Sequence, residues 1–329
     1  MAYDGKLVRR AMARFDEAKQ RREETFRARE REIYRRAPRA EEITRELSQT
    51  MAKIIASGLR RGTDPRPAIA ALKEENLRLQ AERARLLTDL GYPADALEPQ
   101  PACARCGDTG WVDGRMCQCL RAYYTRVQNE ELSHLLDLGT QSFETFNFDL
   151  YSRAPDFEQG LSPYQRAEKN YDACRDFAYD FSRGGGNLLL SGDTGLGKTF
   201  LSACVARVVS EAGHSVVYDT ASRVFAAFEA QKFRREPDDA ADEDVERVLR
   251  CDLLILDDLG TEMTTAFVVS ALYQIVNTRL MTGRSTIIST NLSPDELGAR
   301  YGAPVRSRIE GEYRILPFFG DDIRTLKRR

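Results

Sequence analysis

Residues 187–213 read NLLLSGDTGLGKTFLSACVARVVSEAG: a short apolar run, a glycine-rich turn, then apolar residues at helical spacing. The turn GDTGLGKT, residues 192–199, fits G-x-x-x-x-G-K-[ST] and lies between a predicted strand and a predicted helix, the context that gives this spacing its chemistry. Glycines let the backbone curl so that its N–H groups face phosphate oxygens, and the helix start adds partial positive charge. Lys198 supplies a cation for β- and γ-phosphates, and Thr199 a hydroxyl for Mg²⁺. Gly192, Asp193, Thr194, Gly195, Leu196, Gly197, Lys198, Thr199 and Phe200 are therefore the candidate nucleotide-binding residues.

From Asn187 onward, short apolar runs alternate with amphipathic stretches, which predicts a parallel sheet with crossover helices. Strands are expected at 187–191, 215–219, 252–257, 285–290 and 314–318. The third leads into Asp257 and Asp258. Two carboxylates beside a phosphate loop suit an acceptor for the Mg²⁺ shell, Asp257, and a group that polarises an attacking water, Asp258. Glu262 either tunes that water or is solvated. The fourth strand ends in Ser289, Thr290 and Asn291, and the Asn291 amide can hold the water or sense a phosphate. Ser293 is the better cap for the helix that follows. Arg300, Arg306 and Arg308 crowd into RYGAPVRSRI, and one of them is a candidate to be delivered in trans to a neighbouring subunit's nucleotide. Arg324 either reaches the nucleotide of its own subunit or belongs to a basic tail. Between the second and third strands, FRREPDDAADEDVERVLR reads as a solvated loop and helix face.

The 329 residues are 42% apolar and 30% charged with a formal net charge of -2, so two or three domains are expected and any nucleic-acid contact must be a local patch. No apolar run approaches the roughly 18 residues of a membrane span, and MAYDGKLVRR has no secretion-signal core, so a cytoplasmic location without a membrane partner is expected. Residues 1–36 carry 12 Lys/Arg against 7 Asp/Glu, with Leu7, Ala11, Phe15 and Ala18 at helical spacing. A second helix follows Pro38, and a third begins near Pro67. In the third, Leu72, Leu79 and Leu86 recur every seven residues beside polar Asn76 and Arg83, which favours a small helical bundle over a long coiled coil.

Cys103-x-x-Cys106 and Cys117-x-Cys119 are separated by ten residues that include Gly107, Gly110 and Gly114. Two thiolate pairs brought together by a turn make a tetrahedral S₄ site, for which Zn²⁺ is the default, with an iron–sulfur cluster or bare thiols as alternatives. Four thiolates leave no open position on such an ion, so this module is structural and the chemistry belongs to the phosphate loop. Cys174, Cys204 and Cys251 stand among apolar neighbours and read as buried free thiols.

NLLLSGDTGLGKTFLS, LLILDDLGTE, IISTNLSP and GAPVRSRI together resemble the AAA+ ATPases of the DnaC/DnaI helicase-loader type, with the IstB transposition ATPases as near relatives. The resemblance runs from about Thr140 to Arg329. It implies ATP as the nucleotide, Lys198 and Thr199 as Walker A residues, Asp257 and Asp258 as Walker B, Asn291 as sensor 1, Arg308 as the arginine finger and Arg324 as the sensor 2 arginine. Arg306 remains an alternative finger. It also implies that TFNFDLY leads into the nucleotide pocket and that a helix around 221–235 binds single-stranded DNA. Within that helix, Lys232, Arg234 and Arg235 are the candidate phosphate contacts, whereas Phe225 and Phe228, three apart, read better as core. Many AAA+ proteins have Asp-Glu where this chain has Asp257-Asp258, so a slow, switch-like ATPase is expected.

The expected architecture is α/β: an AAA+ P-loop domain with a central parallel sheet and no full C-terminal lid (139–329), a zinc-binding module with a connecting helix (101–138) and a helical partner-binding region (1–100). The function implied is an ATP-dependent helicase loader in DNA replication, with a replicative DNA helicase, single-stranded DNA and further copies of itself as partners. The alternative is an IstB-like transposition accessory ATPase acting on duplex DNA. A nucleotide-gated adaptor without nucleic acid is a third reading.

Overall fold

The computed structural model of the chain describes residues 3–58, 66–135, 141–157, 160–234 and 239–326. Two compact units emerge, one of residues 13–117 and one of residues 1–12 together with 118–329. The chain begins with helices α1 (Gly5–Arg36), α2 (Pro38–Gly58) and α3 (Arg66–Asp89), then a two-stranded ribbon of β1 (Trp111–Val112) and β2 (Arg115–Met116).

In the smaller unit, α2 packs along α3, and Ile33, Ala40, Leu87, Ala96 and Leu97 form a buried cluster. The polar interruption of the leucine repeat has a partner, since Thr50 donates to Asn76 Oδ1 at 2.8 Å, and Arg39 pairs with Glu82 at 3.0 Å. The β1–β2 turn is Asp113-Gly114 with φ of 49° and 71°, the left-handed pair that a two-residue hairpin of matching twist requires.

The larger unit continues with α4 (Gln118–Leu135), α5 (Pro163–Tyr179), β3 (Leu188–Ser191), α6 (Lys198–Glu211), β4 (Val216–Thr220), α7 (Ala221–Phe233), α8 (Asp239–Arg250), β5 (Leu253–Leu259), α9 (Ala266–Met281), β6 (Ser285–Thr290), α10 (Pro294–Tyr301), α11 (Ala303–Glu312), β7 (Arg314–Pro317) and α12 (Ile323–Leu326). The strands lie in the order β4-β5-β6-β3-β7, and every neighbouring pair is parallel. Each predicted strand is present, with ends displaced by at most two residues.

Both sheet faces are covered, which explains why the strands read as nearly unbroken apolar runs. Leu188, Leu190, Val216, Leu253 and Ile255 pack with Ala203, Cys204 and Val209 of α6. Leu189, Val217, Leu254 and Ile288 pack with Phe225 and Phe228 of α7 and with Leu272 and Ile275 of α9. Cys174, Cys204 and Cys251 are buried, and burial pushes the Cys174 and Cys204 thiols up to about 12.

In the described part of the acidic stretch before β5, the solvated face of α8 also carries ion pairs to the start of the chain. In α8, Val245 and Val248 enter the core, Asp244 takes Lys6 at 2.9 Å, Glu243 takes Arg9 at 3.2 Å, and Arg247 pairs with Asp4 at 3.3 Å. Its carboxylates are tethers for the start of α1. Behind α9, Arg279 is fully buried: Nε donates to Thr286 at 2.9 Å, Nη1 to the carbonyls of Val248 and Cys251, and Nη2 to that of Ser285 at 2.6 Å. Among the described residues, no helix is long and apolar enough to cross a membrane.

Candidate nucleotide site

The carboxyl ends of β3, β5 and β6 open onto a cavity of about 280 Å³. In an open parallel sheet this is where ligands bind. The phosphate loop forms one wall, from Thr194 to Phe200, and Asp258, Asn291 and Arg324 face it. Gly192 adopts φ 144° and Gly197 φ 93°, and a side chain on Gly192 would collide with the Phe318 carbonyl. Only glycine lets the loop close this tightly against β7.

Lys198 is buried at the first position of α6 and donates to the carbonyls of Gly192 at 2.5 Å and Asp193 at 2.6 Å. Burial pulls its ammonium below the usual lysine range, against the charges of Asp258 and Asp257. The hydroxyl of Thr199 donates to Asp257 Oδ2 at 3.2 Å. Asp257 lies behind the loop, 4% exposed, whereas Asp258 lines the cavity.

A shift in β5–β6 pairing between Leu256 and Leu259 separates these adjacent residues, and Asp258 takes φ 54°. The bulge turns the second carboxylate away from strand alternation and toward the loop. Burial, then the charge of Asp257, raises the Asp258 carboxyl above its ordinary range, while Lys198 and Arg324 oppose the rise.

Arg324 reaches the cavity because α12 is fastened to the loop: Ile323 N donates to Gly195 O at 3.0 Å, and Asp322 leaves no room for a side chain on Gly195. From the segment TFNFDLY, Tyr151 donates to Leu196 O at 3.0 Å, and Phe146 packs between Tyr151 and Phe200. Gln141, Thr261 and Ile323 also line the cavity, none of them flagged by motif spacing. Glu262 is neither solvated nor directed at water. It is buried and accepts from Tyr301 and from Gly260 N.

A P-loop leading into α6, paired acids on β5 and a polar residue just past β6 are now in one place. Residues 157–307 match the model of the IstB-like ATP binding protein family. Four of the five parallel strands, β3 to β6, lie within this matched region and β7 follows it, giving a P-loop α/β fold.

The uncharacterized protein YdaV of Escherichia coli (strain K12) is 27% identical over 144 residues, covering 41% of this chain and 54% of that protein. The chain thus spans about half the length of that relative. A putative ATP-binding protein in an insertion sequence of Mycobacterium tuberculosis is 23% identical over 211 residues, covering 64% of this chain and 78% of that protein. Among solved structures, the DnaC helicase loader aligns at 22% identity over 56% of this chain and 99% of its own, with a TM-score of 0.44.

Within and beside the IstB-like region, the remaining predicted residues lie away from the cavity. Arg308 rests on α9, with Nη2 donating to Tyr273 at 2.8 Å and Nε to Asn277 at 2.9 Å. Arg306 pairs with Asp295 at 2.7 Å and Glu310 at 2.8 Å. On α7, Phe225 and Phe228 are core residues, whereas Phe233 is 62% exposed and stands 5.5 Å from Phe267. The Lys232 ammonium lies 5.2 Å from the Phe267 ring, and Arg234 pairs with Asp242 at 2.7 Å. Arg235 lies outside the described residues.

The Sγ atoms of Cys103, Cys106, Cys117 and Cys119 lie within 4.8 Å of one another. Cys103 and Cys117 sulfurs are 3.8 Å apart. The edge of a tetrahedron with Zn–S bonds of about 2.3 Å is also about 3.8 Å, so this pair matches zinc in spacing and the four thiols match it in chemistry. Asp108 fixes the first pair by accepting from Cys103 N at 2.9 Å and Ala102 N at 3.0 Å.

Proposed function

We propose that the chain is an ATP-dependent helicase loader or adaptor of DNA replication, acting in the cytoplasm. The observation that carries this reading is a nucleotide cavity on one compact unit of a chain whose other unit is helical and cysteine-bearing. In this reading residues 1–100 bind a replicative DNA helicase, residues 101–138 form a zinc module with its connecting helix, and residues 139–329 bind ATP and single-stranded DNA.

The P-loop N–H groups and Lys198 hold the phosphates of ATP, whose charge restores the Lys198 ammonium that burial disfavours. Thr199, with Asp257 behind it, would hold Mg²⁺, a hard cation suited to hydroxyl and carboxylate oxygens that would supply positive charge beside the phosphates. Asp258 orients the attacking water, Asn291 senses the γ-phosphate, and Arg324 contacts the nucleotide from its own subunit. Arg308 is the better finger for a neighbouring copy: its partners are neutral, so transfer to a phosphate breaks no ion pair, whereas Arg306 would leave two carboxylates. An aspartate in place of the longer acid suits slow, switch-like turnover.

Lys232 and Arg234 track the DNA backbone. The Lys232→Ala, Arg234→Ala double variant is expected to lose about tenfold in single-strand affinity, and its log K against log salt slope should be shallower by about 1.4. Fluorescence anisotropy across a salt series measures both, and unchanged, equally salt-sensitive binding removes the patch.

The decisive experiment is co-purification of the tagged full chain with the host's replicative helicase, alongside ATP-dependent retention of single-stranded DNA. The match to the IstB-like family and a relative from an insertion sequence favour a second reading, an accessory ATPase that assembles on duplex DNA for transposition. Duplex preference with capture of a transposase would establish that reading instead.

Zinc content tests the cysteine module. The chain should carry about one zinc, and Cys103→Ser about none, by elemental analysis of dialysed protein. Equal content in both excludes this ligand set.

A further inference from the structure

Asp257 is held by more than its motif. The β4, β5 and β6 strands end side by side, and Tyr218, Asp257 and Ser289 share the sheet face that α6 covers. Tyr218 is 4% exposed, and its hydroxyl donates to Asp257 Oδ2 at 2.5 Å, the oxygen that Thr199 also reaches at 3.2 Å. Ser289 donates to Asp257 Oδ1 and accepts from Asp258 N at 3.0 Å, so one hydroxyl ties both carboxylate-bearing residues together.

A carboxylate offers about four lone-pair sites. Three are taken by hydroxyl donors, which leaves about one for a water of a hydrated cation. With both oxygens pinned, the carboxylate plane cannot rotate. Thr199 must then point its proton at Oδ2, which directs its lone pairs away from Asp257 and into the loop.

We propose that Tyr218 is a positioning residue for the divalent cation that accompanies the nucleotide. Its hydroxyl fixes the plane of Asp257, and through it the direction in which Thr199 presents its oxygen to the metal. The proposal rests on the nucleotide-binding reading of the cavity. The tyrosine ring also fills the core beside Val216 and Ile255, so only the hydroxyl is assigned this role, and phenylalanine keeps the packing.

The test uses the full chain and Tyr218→Phe, with Mn²⁺ as the probe. Free Mn²⁺ is followed by electron paramagnetic resonance in the presence of ADP, and ADP affinity is measured separately in excess EDTA. Loss of an outer-shell partner weakens metal binding about tenfold. The expected result is therefore about tenfold weaker Mn²⁺ binding in Tyr218→Phe, with metal-free ADP affinity unchanged. Unchanged or tighter Mn²⁺ binding overturns the assignment. An equal fall in metal-free ADP affinity also overturns it, because the hydroxyl would then be supporting the loop as a whole and not the cation. If the unaltered chain binds no ADP, the nucleotide reading itself fails, an outcome distinct from both.

Discussion

Asp258→Asn is expected to lower ATP turnover by about 10²- to 10⁴-fold, the range for loss of a positioned general base. Nucleotide affinity should stay within about threefold, because the proposed role of this carboxylate is on the water and gives it little part in ground-state binding. The bulge is what makes the effect selective. Asp257 remains in line with β5 behind Thr199, while Asp258, at φ 54°, lines the cavity without bonding to the loop. Asparagine preserves shape and tolerates the left-handed backbone, so the measured loss reports the carboxylate's charge and basicity and not a change of fold. Single-turnover phosphate release set against fluorescent nucleotide binding separates the two quantities. A variant that hydrolyses normally would move the base elsewhere, and buried Glu262, bonded to Tyr301, is not available to take over.

Arg279→Met is the substitution expected to cost the fold most. The guanidinium is fully buried and serves the carbonyls of Val248, Cys251 and Ser285, at the end of α8, just before β5 and at the start of β6. Methionine fills much of the volume but removes the guanidinium donors from three carbonyls in a dry interior. A loss of about 3 to 5 kcal/mol follows, a large share of the roughly 5 to 15 kcal/mol that holds a domain together. The urea midpoint of the larger unit's transition measures it, and a shift worth under about 1 kcal/mol would mean that those carbonyls find other partners. Arg306→Ala is the contrasting case: its pairs with Asp295 and Glu310 lie at the surface, and the midpoint should barely move.

How far the sequence was legible depended on whether a feature is local. The phosphate loop, the paired acids and five strands are written in contiguous residues, and their spacing placed them within a residue or two. Tyr218 was not visible that way. Its role depends on strand parity across a sheet whose order is not contained in any one segment. Once β4 and β5 are aligned, a hydroxyl on the same face as Asp257 could have been flagged. The bulge at Asp258 was also hidden, because nothing in LLILDDL distinguishes a regular strand from one that slips register at its end. The acidic run before β5 was read from charge alone, and charge does not reveal that Lys6, Arg9 and Asp4 come back from the other end of the chain to meet it. The Asp113-Gly114 hairpin, by contrast, was fully local and was passed over for the cysteines around it.

The position of β3 in the sheet governs the order in which this protein can be completed during synthesis. The strand that feeds the phosphate loop lies between β6 and β7, and its last partner, Arg314 opposite Leu188, is made roughly 125 residues later. At about 5 to 20 residues per second, a ribosome spends roughly 6 to 25 seconds on that interval. For most of it the nascent loop has its glycines and lysine but neither neighbouring strand, because β6 is made only shortly before β7. The proposed nucleotide site is therefore complete only once β7 has closed on β3 and α12 has docked on the loop, a late event in its synthesis.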